Sequence, residues 1–155
     1  GQLRQLSKQM EMQQMQAVFN ALAKEHHDEI MQMRRERNRA GLQELQEKLA
    51  AEAEAQVKAQ GIEYKVGRFP YTASGKATAA GERDGHVKLI FDSEEKLLGA
   101  HFVGHNVTEM IGEPTLAKVL GVNAHRIART IHAHPSMHEA VMEAAEDALG
   151  CAIHM

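Results

Sequence analysis

The chain has 155 residues, 43% hydrophobic and 4% aromatic, with no Trp and a formal net charge of -3. That length suits one ordinary domain, or a small domain with an appendage. Charges of both signs are interspersed, which excludes bulk attraction to nucleic acid or to acidic membrane surfaces. No apolar run approaches the roughly 18 residues that a membrane span needs, and no signal-peptide pattern opens the sequence. Cys151 is alone, so this polypeptide holds neither an intrachain disulfide nor a CxxC or CxxxxC redox pair. A reducing, cytoplasmic setting is the expectation.

From Gln2 to Gln60 there is no proline and one glycine, Gly41, while Gln, Met, Glu, Ala and Arg dominate. Most of these are strong helix formers. Met15, Phe19, Leu22, Ile30 and Met33 recur at helical steps, with His26 in the gap, and mark an amphipathic helix. The polar run from Arg34 to Arg39 interrupts that stripe, and spacing resumes out of phase at Leu42, Leu45 and Leu49. One long helix would carry two offset faces. A break around Asn38 to Gly41, giving a helical hairpin, fits the offset better.

The texture changes near residue 60. Ile62 to Val66 alternates apolar with polar, as a half-buried strand does, and ends at Pro70 and the Ala73-Ser74-Gly75 cluster. A short helix is expected over Gly75 to Ala80. His86 to Phe91 and Leu97 to Val103 read as a strand hairpin turning at Asp92 to Glu95. Val107 to Leu120 reads as helix, kinked or restarted at Pro114 and stopped by Gly121. Shorter helices follow over Ala124 to His132 and Ser136 to Leu149, the last capped by Ser136 and ended by Gly150. Strands followed by helices, without regular alternation, give an α+β fold: a small antiparallel sheet packed with helices, preceded by the N-terminal helical segment.

The stretch Ile131-His132-Ala133-His134-Pro135-Ser136-Met137-His138-Glu139 carries the clearest chemistry. It sets an imidazole before a proline, which favours an extended residue, with a carboxylate five residues on at the head of an alanine-rich helix. Imidazole titrates near neutrality and suits proton transfer. A carboxylate on its far nitrogen fixes the tautomer and stabilises the imidazolium. A thiol is a poor nucleophile until such a base deprotonates it. Outside a motif, a His-Glu pair at a helix start is more often an exposed ion pair.

Five segments, in order, resemble the interface (dimerisation) domain of dihydrolipoyl dehydrogenases, within the flavin-dependent pyridine nucleotide-disulfide oxidoreductases. They are Gln60 to Pro70, Asp84 to Ile90, Leu98 to Gly104, Thr108 to Ile111, and Ala128 to Pro135. The resemblance divides the chain into residues 1–52, a helical segment of unassigned role, and residues 53–155, a dimerisation domain. It implies a homodimer in which His134, steered by Glu139, serves the partner subunit's dithiol centre. It also implies a cis bond at His134-Pro135, and FAD and NAD in a complete enzyme.

Two departures accompany it. Ser136-Met137-His138 stands where the family has Thr-Leu-Ser. The chain also has no GxGxxG fingerprint, so no cofactor is expected on this chain alone. The flavin and nucleotide domains of a complete enzyme are therefore implied partners.

The alternative is a noncatalytic assembly protein that reuses the interface fold. A His- and Met-rich metal binder is a third reading, on His132, His134 and His138, on His101 and His105, on His26 and His27, or on the methionines Met10 to Met33. No metal-ligating residues are expected, and Cys151 is expected to be a semi-buried small apolar residue.

Overall fold

The computed structural model describes residues 39–154, and the helical stripe from Met15 to Met33 lies outside them. Helix α1, Arg39–Ala59, runs unbroken through Gly41. The described part of the expected break is thus helical, because the Glu-, Gln- and Ala-rich sequence after Gly41 is a good helix former. Gly61, at φ 68, ends the helix in the left-handed conformation.

Residues 49–155 form one compact unit. Its sheet has three antiparallel strands in the order β1 (Tyr64–Pro70), β2 (His86–Asp92) and β3 (Leu97–Val103). The hairpin, the strand bounds of β3 and the short helix α2 (Gly75–Ala80) fall where the sequence places them, and Ser74 Oγ caps that helix by accepting from Ala77 N–H at 3.2 Å. β1 starts two residues later than its alternation suggests and runs to Pro70. Pro70 is tolerated there as the last residue of an edge strand.

Val107 to Leu120 divides into α3 (Val107–Met110) and α4 (Gly112–Val119), with Pro114 buried in the first turn of α4. α5 (Ala124–Ala128) stops four residues short of His132. At the end of α5 the Thr130 hydroxyl donates back to Arg126 O at 2.8 Å. The last helix, α6, spans Glu139–Ala148 and does not begin at Ser136. Met137 and His138 form a turn first, and the Ser136 side chain caps nothing; its backbone N–H donates to Glu139 Oε2 at 2.8 Å.

The apolar face of α6, with Ala140, Val141, Ala144 and Ala145 fully buried, packs on Phe69, Val87, Leu89 and Phe91 of the sheet. Alanines on the helix let its backbone close on β1 at Gly67, where a β-carbon would stand 1.8 Å from the carbonyl oxygen of Ala144. Asp147 fixes the same contact by accepting from Arg68 N–H at 2.8 Å. Tyr71 fills the core behind the β1 end. Its hydroxyl donates to His105 O at 3.1 Å, and burial pushes its pKa up to about 12. Gly104, at φ 130, has no room for a side chain against that ring.

On the opposite face, the fully buried Lys88 pairs with Glu54 of α1, which Arg68 also reaches at 2.6 Å. Burial lowers the Lys88 pKa, partly offset by Glu54. Core and sheet thus anchor α6, and α6 carries the acid of the pair described next.

Candidate acid-base site

Between α5 and α6 the chain crosses the surface as a loop from Arg129 to His138. Met137, 4% exposed, sinks into the core and anchors its far end. The peptide bond between His134 and Pro135 is cis. His134 Nδ1 lies 2.8 Å from Glu139 Oε1, and the His134 side chain is 81% exposed. The two residues singled out in the sequence are therefore in hydrogen-bond contact.

Glu139 is the better held of the two. Burial works to raise its pKa, but the Ser136 N–H, the His134 ring and the His132 charge outweigh it and hold the carboxyl below its ordinary value. An ionised Glu139 accepts from Nδ1–H, which assigns the His134 tautomer and leaves Nε2 with its lone pair free. The arrangement is an outward imidazole base with an anionic partner behind it.

Three further His-Glu pairs escaped the sequence reading, one of them an exposed contact between His125 Nε2 and Glu95 Oε2 at 3.2 Å. His132 turns inward, its side chain 6% exposed, and its Nε2 lies 2.8 Å from Glu113 Oε1 in the first turn of α4. That hydrogen bond raises its pKa against the cost of burial. His154 Nδ1 contacts Glu143, a 3% exposed carboxylate one turn beyond Glu139 on α6. Burial, with the Glu143 charge beside it, raises the pKa of Glu146. Glu143 is one turn from Glu139 on the same helix face, a spacing that could have flagged it. Nothing local pairs Glu113 with a histidine nineteen residues on.

The remaining histidines do not converge. β3 ends at Val103, so His101 and His105 share no strand face. His138 is the N-cap residue of α6, with no side-chain cap bond. Among the described residues no three His, Cys, Asp or Glu side chains are placed to hold a metal. His26, His27 and Met10 to Met33 lie outside those residues. Cys151 is exposed, contrary to the expectation of partial burial. Gly150, at φ 72, turns the chain away from α6, and the thiol donates to Glu146 O at 3.5 Å.

The family described as pyridine nucleotide-disulphide oxidoreductase, dimerisation domain, matches residues 52–145. The chain belongs to this family. It is 47% identical over 102 residues to a dihydrolipoyl dehydrogenase of Bacillus subtilis, covering 65% of this chain and 22% of that protein. It is 50% identical over 90 residues to the Chlorobaculum tepidum dihydrolipoyl dehydrogenase, covering 57% of this chain and 19% of that one.

Among solved structures, the HOCl-induced flavoprotein disulfide reductase RclA from Escherichia coli is similar with a TM-score of 0.58 and 26% identity, over 60% of this chain and 22% of that one. LpdA from Mycobacterium tuberculosis shares the fold, with a TM-score of 0.57 and 21% identity, over 60% of this chain and 20% of that one. The chain spans about a fifth of the length of the curated relatives it matches. Residues 52–145 are a dimerisation domain of this family, similar to that of dihydrolipoyl dehydrogenases, with the α+β architecture expected. Among the described residues no helix is long and apolar enough to cross a membrane.

Proposed function

We propose that this dimerisation domain supplies His134 and Glu139, across a two-fold interface, to the dithiol-disulfide centre of a partner subunit in a dihydrolipoyl dehydrogenase-like enzyme. The observation that carries the reading is the 2.8 Å contact between His134 Nδ1 and Glu139, with the ring 81% exposed. A base meant for its own chain's chemistry would sit in a cleft of that chain. This one faces outward.

The proton path follows from the geometry. His134 Nε2 takes the proton of an approaching thiol, and Glu139 stabilises the imidazolium. The thiolate attacks one sulfur of a disulfide; that S–S bond breaks as the new one forms, and the departing sulfur leaves as a thiolate. The proton returns from Nε2 when the site resets.

A homodimer fits the apolar surface around the loop. Leu116 and Val119 of α4 and the following Leu120 are 60%, 78% and 67% exposed, and Ile131, three residues before His134, is 98% exposed. His132 ties this loop to α4 through Glu113, so the apolar surface and His134 belong to neighbouring segments. Surface of that kind on a small domain calls for a covering partner. Residues 53–155 would form this interface.

FAD and NAD would belong to other domains of such an enzyme. This chain lacks a GxGxxG cradle for either, and no step above runs through them. The deciding experiment exchanges residues 52–155 for the corresponding domain of the Bacillus subtilis enzyme. Turnover of a dihydrolipoyl substrate that depends on His134 supports the reading. A noncatalytic assembly domain would give a dimer without turnover.

A further inference from the structure

Six residues, Ile131 to Ser136, lead from α5 to the turn before α6, and none makes a backbone–backbone hydrogen bond among the described residues. Their side chains give little packing. Ile131, Ala133, His134 and Pro135 are all exposed. The loop is held at its start by Thr130 on Arg126 O and at its end by Met137 in the core. Between those ends, the one inward side chain of Ile131 to Pro135 is the His132 ring, on Glu113 at 2.8 Å. Two residues later the chain must deliver the His134 ring to Glu139, also at 2.8 Å.

We infer that Glu113 and His132 form a positioning pair, which fixes the loop so that the His134 ring stands on Glu139 and faces outward. Neither residue touches the reacting atoms; both act through His134. The inference deepens the proposed role of His134 and rests on it. A six-residue arm whose one backbone hydrogen bond among the described residues is that of Ser136 N–H to Glu139 has many conformations, and an imidazole displaced by about 1 Å from its productive position can cost on the order of 100-fold in rate. A half-buried acceptor in the first turn of α4, holding the inward His132 ring, removes most of that freedom. His132 raises its own ring's hold on Glu113 by charging, while burial opposes it.

The test reads the geometry in the full 155-residue chain and uses no catalytic assay. Carbon-detected NMR follows the Glu139 carboxyl through a pH titration in the parent chain, Glu113→Ala, Glu113→Gln and His132→Gln. In the parent, the Ser136 N–H and His134 keep the Glu139 midpoint below the ordinary carboxylate value. With Glu113→Ala the loop loosens, and the midpoint should rise toward the ordinary range as the Ser136 N–H and His134 contacts on Glu139 are lost. Glu113→Gln removes the same charge but keeps an acceptor oxygen for His132, and should resemble the parent. Simple loss of a nearby negative charge would move Glu139 downward, the opposite sign.

His132→Gln serves as the second variant if Glu113→Ala disturbs α4, as judged by the amide spectrum of β2. An unchanged Glu139 midpoint in folded Glu113→Ala, or the same shift in Ala and Gln variants, would overturn the inference. That failure would leave the role of His134 itself standing, because it concerns only how the ring is held.

Discussion

The carbonyl oxygen of Ala144 occupies the space that a side chain on Gly67 would need, with only 1.8 Å between it and an ideal β-carbon. The β1–α6 contact is therefore backbone against backbone, and it sets the height at which Glu139 leaves the sheet. Gly67→Ala should destabilise the domain by about 3 kcal/mol, at the upper end of what overpacking costs, since neither backbone can move alone. Urea unfolding of the two chains measures this; equal midpoints would mean that α6 does not sit on β1 as described.

Glu54 holds the buried Lys88 on the other face of the sheet. Glu54→Ala should cost about 2 kcal/mol, less than a fully buried pair because Glu54 is partly exposed. Glu54→Leu combined with Lys88→Met should recover most of that loss, since well-packed apolar residues often replace a buried ion pair without penalty. A double-mutant cycle reads both, and additive losses would contradict the pairing.

Stability should pass through a maximum near neutral pH, shaped by two histidines of opposite sign. Burial, helped by Lys88, His86 and Lys118, lowers the His101 pKa from 6.5 to about 4. As pH falls from 6.5 to about 4 the unfolded chain takes up a proton that the folded one refuses, so stability declines. His132 is raised above 6.5 by Glu113, so its stabilisation is complete below that value and is lost as pH rises through the folded pKa. Urea midpoints against pH should show His101→Phe flattening the acid limb and His132→Gln making the alkaline limb shallower. Unaltered limbs would contradict the assignments.

Much of this was legible in the sequence because the signals are local. The largely apolar run from Val87 to Phe91 marks β2, the Ala73-Ser74-Gly75 cluster marks the end of β1, and the five-residue step from His134 to Glu139 marks the pair. Where the reading went astray, longer-range contacts decided. Ser136 has the chemistry of a cap, yet the Glu139 carboxylate takes its backbone N–H and α6 begins three residues later. Ala124 to His132 has helical composition, but α5 ends at Ala128 and His132 is drawn away to Glu113. Lys88 lies on the face of β2 opposite Val87, Leu89 and Phe91, and only the placement of Glu54 shows that face to be covered. Cys151 follows a left-handed glycine that carries it out to the surface.

The most direct measurement is dihydrolipoyl-dependent turnover by an enzyme carrying residues 52–155 as its dimerisation domain, with and without His134→Gln. Removal of a positioned acid-base group should lower kcat by about 100- to 10,000-fold, while the dimer, followed by sedimentation, stays intact. Turnover unchanged by His134→Gln would contradict the role of that imidazole as the base offered to the partner subunit.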